Sequence, residues 1–230
     1  MVLQKTLNPK LFKDNKLIDE VRTKIFSIVN EFKEFIEIPI NILDIRIVGS
    51  NASYNYNEYS DLDIHLIVNY MELSNNTELV DILFNTKRKS FNQTYDITIK
   101  GIDAEMYVED VTNNAISNGI YSVSQNCWIK FPKKIDETKV SIPNINDLYN
   151  RYKDKCEKVL DDKDTDIQEV TDLINAIYML RKNGLATNGE YSKGNLTFKA
   201  LRNDDYISKL IELQDKLKSK ELSLEKLLKM

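Results

Sequence analysis

The chain has 230 residues and a mass of 26.8 kDa, with 42% hydrophobic residues, 30% charged residues and a formal net charge of −4. This length suits one large domain or two small ones, and the composition is that of a soluble globular protein. The negative charge argues against a uniformly basic surface for nucleic acid, although it is compatible with a local basic patch.

Three features bear on the compartment. No apolar run approaches the roughly 18 residues of a membrane span. The first residues lack the apolar core of a signal sequence. Cys127 and Cys156 lie far apart in the sequence, without the spacing of metal ligands. We therefore expect a cytoplasmic protein in a reducing compartment, without a membrane partner.

The first part of the sequence predicts a helix followed by two strands. Apolar residues recur at intervals of three and four over residues 15–36, which predicts an amphipathic helix packed on a sheet. Residues 42–48 alternate as a strand that ends at Gly49, and residues 61–68 form a second strand with one largely apolar face. The connection, residues 50–60, is long enough for a short helical turn.

A helix and a third strand follow. Helical spacing over residues 78–91 predicts a helix that crosses over the sheet. Its expected apolar side consists of Leu79, Ile82, Leu83 and Phe84. The third strand is expected over residues 95–109, with Gly101 as a bulge where the alternation slips by one residue.

The remainder predicts a hairpin and then a helical domain. Residues 120–131 predict the hairpin, and the polar residues 132–143 predict a linker. Helical spacing then recurs in residues 148–160, 167–180 and 206–228. We therefore expect a small helical domain over residues 144–230, in which residues 181–195 form a basic, glycine-containing loop.

The chemistry is concentrated between the first two strands. Gly49-Ser50 is followed after ten residues by Asp61-Leu62-Asp63-Ile64. Because strand side chains alternate, Asp61 and Asp63 point the same way and can share one metal ion. Like charges at this spacing repel, and a bound dication relieves that repulsion. Glycine allows close approach of the backbone, so Gly49 and Ser50 are candidates to hold a nucleotide's terminal phosphates.

This order of residues resembles the signature of the DNA polymerase β-like nucleotidyltransferase superfamily: Gly, then Gly or Ser, then, after a short spacer, Asp-apolar-Asp-apolar. The resemblance covers roughly residues 40–110. It implies an α+β (mixed α/β) fold, with a catalytic domain over residues 1–135 whose mixed sheet is flanked by helices. The helical domain, residues 144–230, would lie on the substrate or acceptor side. The chain is also similar to uncharacterised nucleotidyltransferases encoded by bacteriophages.

The resemblance also implies the activity. Such an enzyme moves a nucleoside monophosphate from a nucleoside triphosphate, such as ATP, to a hydroxyl acceptor with release of pyrophosphate. The acceptor is an RNA end, a small molecule or a protein. Mg²⁺ or Mn²⁺ would be bound by Asp61, Asp63 and a third carboxylate. We expect Glu105, since it lies centrally in an apolar run where an unpaired carboxylate is costly. Asp103 on the same strand face remains the alternative.

Further candidates stay open at this stage. Asp96 is a more distant third carboxylate, and Lys193 in the basic loop is a candidate nucleotide contact. His65 lies on the face of the aspartates, either to orient substrate or metal-bound water or simply hydrogen-bonded to its neighbours. Tyr54, Tyr56 and Tyr59 either contact a base or acceptor or belong to an exposed loop. Two other functions also fit: a nucleotide-binding sensor or antitoxin-like module without catalysis, and a metal-dependent phosphodiesterase or nuclease.

Overall fold

A six-stranded mixed sheet is the framework of the N-terminal half. The computed structural model describes residues 4–113, 117–134 and 143–223. It divides into two units, residues 1–135 and 136–230, which are described in turn. The predicted fold class is confirmed: a mixed sheet is flanked by helices, and a helical unit follows. Within the described ranges no helix is both long and apolar enough to cross a membrane.

The strands are β1 (Phe12–Lys13), β2 (Lys16–Leu17), β3 (Ile42–Val48), β4 (Leu62–Val68), β5 (Thr98–Ile99), β6 (Ile102–Asp110), β7 (Ile120–Ser122) and β8 (Cys127–Lys130). Strands β1 and β2 form a separate hairpin, and the others lie in the order β5-β6-β4-β3-β7-β8. Strands β4 and β6 are parallel, whereas the other neighbouring pairs are antiparallel. The chain between β4 and β6 is therefore a crossover, as predicted.

Two helices, α1 (Asp19–Ile36) and α2 (Thr77–Thr94), share one core with the apolar face of the sheet. The rings of Phe32 in α1 and Phe91 in α2 meet edge to face, with centroids 5.0 Å apart. The predicted start of α1 at residue 15 is wrong. Asp14 and Asn15 adopt positive φ values of 50° and 60° in the turn between β1 and β2, a conformation that a helix excludes.

The predicted apolar side of α2 is largely wrong. Leu79, Ile82 and Leu83 are 57%, 57% and 38% exposed. The helix buries Val80, Phe84 and Phe91 instead. The exposed and buried sets lie on adjacent stripes of a helix that is apolar on both, so spacing alone could not identify the packed one.

The predicted single strand at residues 95–109 is divided. Strands β5 and β6 pair as an antiparallel hairpin, with Ile99 opposite Ile102. The two residues between them, Lys100 and Gly101, have φ values of 52° and 73°. Two successive positive φ values are typical of a tight hairpin turn, so Gly101 belongs to a turn and not to a bulge.

The C-terminal unit consists of α3 (Asn146–Asp161), α4 (Ile167–Asn188), α5 (Lys193–Asn203) and α6 (Tyr206–Leu222). Its core includes Cys156, Val170, Ile177, Leu201 and Leu210.

The predicted loop at residues 181–195 is mostly helical. Two of its three glycines serve close packing: a Cβ on Gly184 would overlap Ser192 Oγ, and one on Gly194 would overlap the Leu180 carbonyl oxygen. The predicted linker at residues 132–143 and the end of the last predicted helix fall largely outside the described residues.

A side chain of α2 completes the hydrogen bonding of β6. Asn92 Oδ1 accepts from the Met106 N–H at 3.1 Å, and Asn92 Nδ2 donates to the Met106 carbonyl at 3.3 Å. The amide therefore replaces a strand neighbour at this point of β6.

Asn92→Ala should lower the free energy of unfolding by about 1–3 kcal/mol, because it leaves the two backbone groups of Met106 without their partner. Gln93→Ala, an exposed neighbour on the same helix, is the control and should change it by less than about 0.5 kcal/mol. Urea unfolding followed by circular dichroism measures both. Equal effects of the two substitutions would show that Asn92 does not support β6.

Candidate active site

Two of the acidic candidates, Asp63 and Glu105, lie opposite each other on neighbouring strands of the sheet. In the parallel β4–β6 pair, Asp63 lies opposite Glu105, and His65 opposite Tyr107. The intervening residues of the two strands, Ile64 and Met106, face the helices and are buried. Asp63, His65, Glu105 and Tyr107 point to the other face and are partly exposed. Adjacent strands are about 4.8 Å apart, so the structure brings the Asp63 and Glu105 side chains together on one face.

Gly49 leaves room for the side chain of Asp63. It directly follows β3, whose last residue, Val48, lies opposite Asp63. Its backbone angles, φ 73° and ψ −154°, fall in a region populated almost exclusively by glycine. A Cβ on Gly49 would overlap Asp63 Oδ2. The Asp63 carboxylate therefore lies directly against the Gly49 backbone. Any side chain at position 49 would collide with it, which explains why the sequence signature has glycine here.

Asn51 holds the chain in front of Asp61. It is fully buried, in the short 3₁₀ turn Ser50–Ala52. Asn51 Nδ2 donates to the Ser60 carbonyl at 3.0 Å and to the Asp61 carbonyl at 2.8 Å. Asn51 Oδ1 accepts from Asn8 Nδ2 at 2.7 Å. This anchor was not predicted; its one signal in the sequence is a polar residue directly after Gly49-Ser50.

Ser117 binds the Gly49 backbone. The Gly49 N–H donates to Ser117 Oγ at 3.2 Å, and Ser117 Oγ donates to the Gly119 carbonyl at 2.8 Å. The Gly49 amide thus already has a partner within the protein. The Ser50 hydroxyl is a hydrogen-bond donor by its chemistry, and its contact with a phosphate stays a prediction.

Tyr107 binds the carboxylate of Glu105. Its hydroxyl donates to Glu105 Oε2 at 2.6 Å. The His65 ring stacks on the Tyr107 ring, with centroids 4.7 Å apart and planes at 18°, and the Arg88 guanidinium lies 4.3 Å from the ring centroid. Burial, followed by the hydrogen bond to Glu105, raises the pKa of Tyr107 well above its ordinary value. The hydroxyl therefore stays protonated and remains a donor.

His65 is bound further along the same face. His65 Nδ1 lies 3.0 Å from Glu109 Oε1, and this close contact lowers the pKa of Glu109. Arg46 on β3, opposite His65, lowers it further by its positive charge. The two roles open for His65, orienting the substrate or metal-bound water and hydrogen bonding to its neighbours, both stay predictions.

The other two acidic candidates, Asp103 and Asp96, are more exposed than Glu105. Asp103 is exposed and lies opposite Thr98, where β5 pairs with β6. Asp96 is exposed in the segment before β5. Among the described residues, no three His, Cys, Asp or Glu side chains are arranged close enough together to hold one metal ion. The metal-binding assignment of Asp61, Asp63 and Glu105 thus stays a prediction.

The remaining candidates differ in exposure. Tyr54 is buried, whereas Tyr59 is 54% exposed. Only the latter of these two has the exposure that contact with a base requires. Lys193 is the exposed first residue of α5 in the C-terminal unit, and its contact with a nucleotide remains a prediction.

The sequence matches no protein-family model and no curated protein. Three solved structures are similar, each at 14% sequence identity. The STING-associated CdnE c-di-GMP synthase from Capnocytophaga granulosa has a TM-score of 0.25, with 89% of this chain and 84% of that chain covered. Spectinomycin adenyltransferase AAD(9) from Enterococcus faecialis, solved with ATP and spectinomycin, has a TM-score of 0.24, with 87% and 99% covered.

The third is the Elizabethkingia meningoseptica CdnE cyclic dinucleotide synthase with GTP and Apcpp, with a TM-score of 0.27 and 83% of this chain and 74% of that chain covered. At these TM-scores the likeness carries no argument about what this chain does. Its function has to be inferred from its own residues.

Gly49→Ala should destabilise the protein more than Gly101→Ala. Both glycines have a φ of 73°, so each substitution introduces backbone strain of about 1–3 kcal/mol. A Cβ on Gly101 meets only Lys10 Nζ at 3.8 Å, whereas one on Gly49 overlaps a carboxylate, which should add a further ~1–3 kcal/mol. Urea unfolding of both variants gives the difference. Equal losses would contradict the placement of Asp63 against Gly49.

Proposed function

We propose that the chain is a nucleotidyltransferase that uses Mg²⁺ or Mn²⁺ to move a nucleoside monophosphate from a nucleoside triphosphate to a hydroxyl acceptor. The observation that carries this proposal is the parallel register that sets Asp63 beside Glu105. Next to this pair, Gly49 gives Asp63 Oδ2 room that no other residue would leave. Two neighbouring carboxylates beside a glycine-serine turn suit a metal-bound triphosphate.

The residues fit a divalent cation by their chemistry. Carboxylate oxygens are the ligands that Mg²⁺ and Mn²⁺ prefer. Asp63 and Glu105 would hold the ion together with the phosphates of the substrate. Asp61, one residue before β4, is proposed as a third ligand on the sequence signature, because in this structure the three carboxylates do not converge on one point. When bound, the ion supplies charge neutralisation at the triphosphate and lowers the pKa of the attacking hydroxyl.

The remaining roles belong to the chain itself. Ser50 would donate its hydroxyl to a terminal phosphate oxygen, and Lys193 would add a positive charge to the nucleotide. We assign the acceptor side to the helical unit on sequence grounds. Positioning of the two substrates and neutralisation of charge supply most of the rate in this class of reaction, so a site of this size suffices.

The most direct experiment incubates the purified protein with Mg²⁺ and each of four α-labelled nucleoside triphosphates, together with total RNA, total protein or a small-molecule extract. The proposal predicts label on one acceptor class and an equal amount of pyrophosphate. Tight nucleotide binding without turnover on any of the three would favour a binding module. Shortening of the added RNA without pyrophosphate release would favour a phosphodiesterase.

Substitutions test the carboxylates one by one. Asp63→Asn and Glu105→Gln should each reduce transfer about 100-fold or more, because each removes a negative ligand of the metal, while the melting temperature stays near that of the wild type. Asp103→Asn should keep transfer within a few-fold of wild type. Full activity of Asp63→Asn would refute the mechanism. If Asp103→Asn lost transfer activity while Glu105→Gln kept it, Asp103 would be the third carboxylate.

A further inference from the structure

We infer that Tyr107 is a positioning residue, whose hydroxyl holds the Glu105 carboxylate in the orientation that metal binding needs. This role rests on the proposed function, since it gives Glu105 a ligand's task. The hydrogen bond from the Tyr107 hydroxyl to Glu105 Oε2 is 2.6 Å long, the length of a strong bond to an ionised acceptor. It occupies one carboxylate oxygen and leaves Oε1 as a ligand atom.

Glu105 has a particular need for such a partner. A glutamate has one more rotatable bond than an aspartate and loses more rotamer freedom when it is fixed. It also lies beside Asp63, whose negative charge repels it. The Tyr107 hydroxyl bonds directly to Glu105, and Asp63 lies opposite Glu105 on the neighbouring strand. A donor at this point offsets the repulsion and selects one orientation of Glu105.

Tyr107 is itself held by side chains from two other elements. His65 of β4 stacks on its ring, and Arg88 of α2 lies over the ring. His65 Nδ1 in turn lies 3.0 Å from Glu109 Oε1, and Arg88 Nε donates to Asn85 Oδ1 at 3.2 Å. The phenol is therefore fixed before any ligand arrives, as a positioning group has to be.

Tyr107→Phe tests this role, because it keeps the ring and its two packing partners and removes only the hydroxyl. Mn²⁺ binding is measured by calorimetry on the full chain. Loss of a partner that orients a metal ligand typically weakens binding about 10–100-fold, so we expect a rise of at least about tenfold in Kd. The control is Tyr70→Phe, whose hydroxyl bonds to the Val108 carbonyl of the same strand at 3.1 Å. It should leave the Kd unchanged.

A double-mutant cycle with Glu105→Gln separates positioning from a general effect on the fold. If the hydroxyl acts through Glu105, Tyr107→Phe should weaken Mn²⁺ binding in the wild type but not further in the Glu105→Gln background. Additive losses would overturn the inference. Unchanged or tighter binding by Tyr107→Phe, with weaker binding by Glu105→Gln, would also overturn it and leave the proposed function intact.

The same data show whether the proposed function fails first. If Glu105→Gln binds Mn²⁺ as tightly as the wild type, Glu105 is not a ligand, and the role of Tyr107 falls together with that assignment. Melting temperatures of all variants are recorded alongside. A variant with weakened Mn²⁺ binding and an unchanged melting temperature has lost positioning and not stability.

Discussion

The candidate site depends on one constraint, the parallel register between β4 and β6. On the helix-covered face this register pairs Ile64 with Met106, both fully buried; on the other face it pairs Asp63 with Glu105. A slip of one residue would turn the carboxylates into the core and the apolar side chains into water. Each fully buried side chain of this size contributes roughly 1.5–3 kcal/mol, so the apolar face fixes where the carboxylates stand.

Small polar residues and one glycine then hold the ends of this framework. Asn92 binds the backbone of β6, and Asn51 binds the carbonyl that precedes β4. Gly49 lets the Asp63 carboxylate lie against the end of β3. Two carboxylates at strand spacing are electrostatically unfavourable, and the hydroxyl of Tyr107 offsets part of that repulsion. In the proposed enzyme, a divalent cation offsets the remainder.

Much of this arrangement follows from the sequence, because it depends on local periodicity. The alternation of apolar and polar residues predicted strands β3 and β4, and it predicted that Glu105 and Tyr107 share one face of their strand. What the sequence could not predict depends on distant partners or on a choice between equivalent patterns. The contact of Asn51 with Asn8 joins residues 43 positions apart. The apolar stripe of α2 that packs is chosen by the sheet beneath it, and the turn at Gly101 by the pairing of β5 with β6.

The metal assignment is tested most directly by crystals grown with Mn²⁺ and a non-hydrolysable nucleoside triphosphate analogue, in which anomalous scattering locates the ion. The assignment predicts a manganese peak about 2.0–2.6 Å from carboxylate oxygens of both Asp63 and Glu105, with the triphosphate beside Gly49 and Ser50. A bound nucleotide with manganese held by other residues, or with no peak between Asp63 and Glu105, would contradict it.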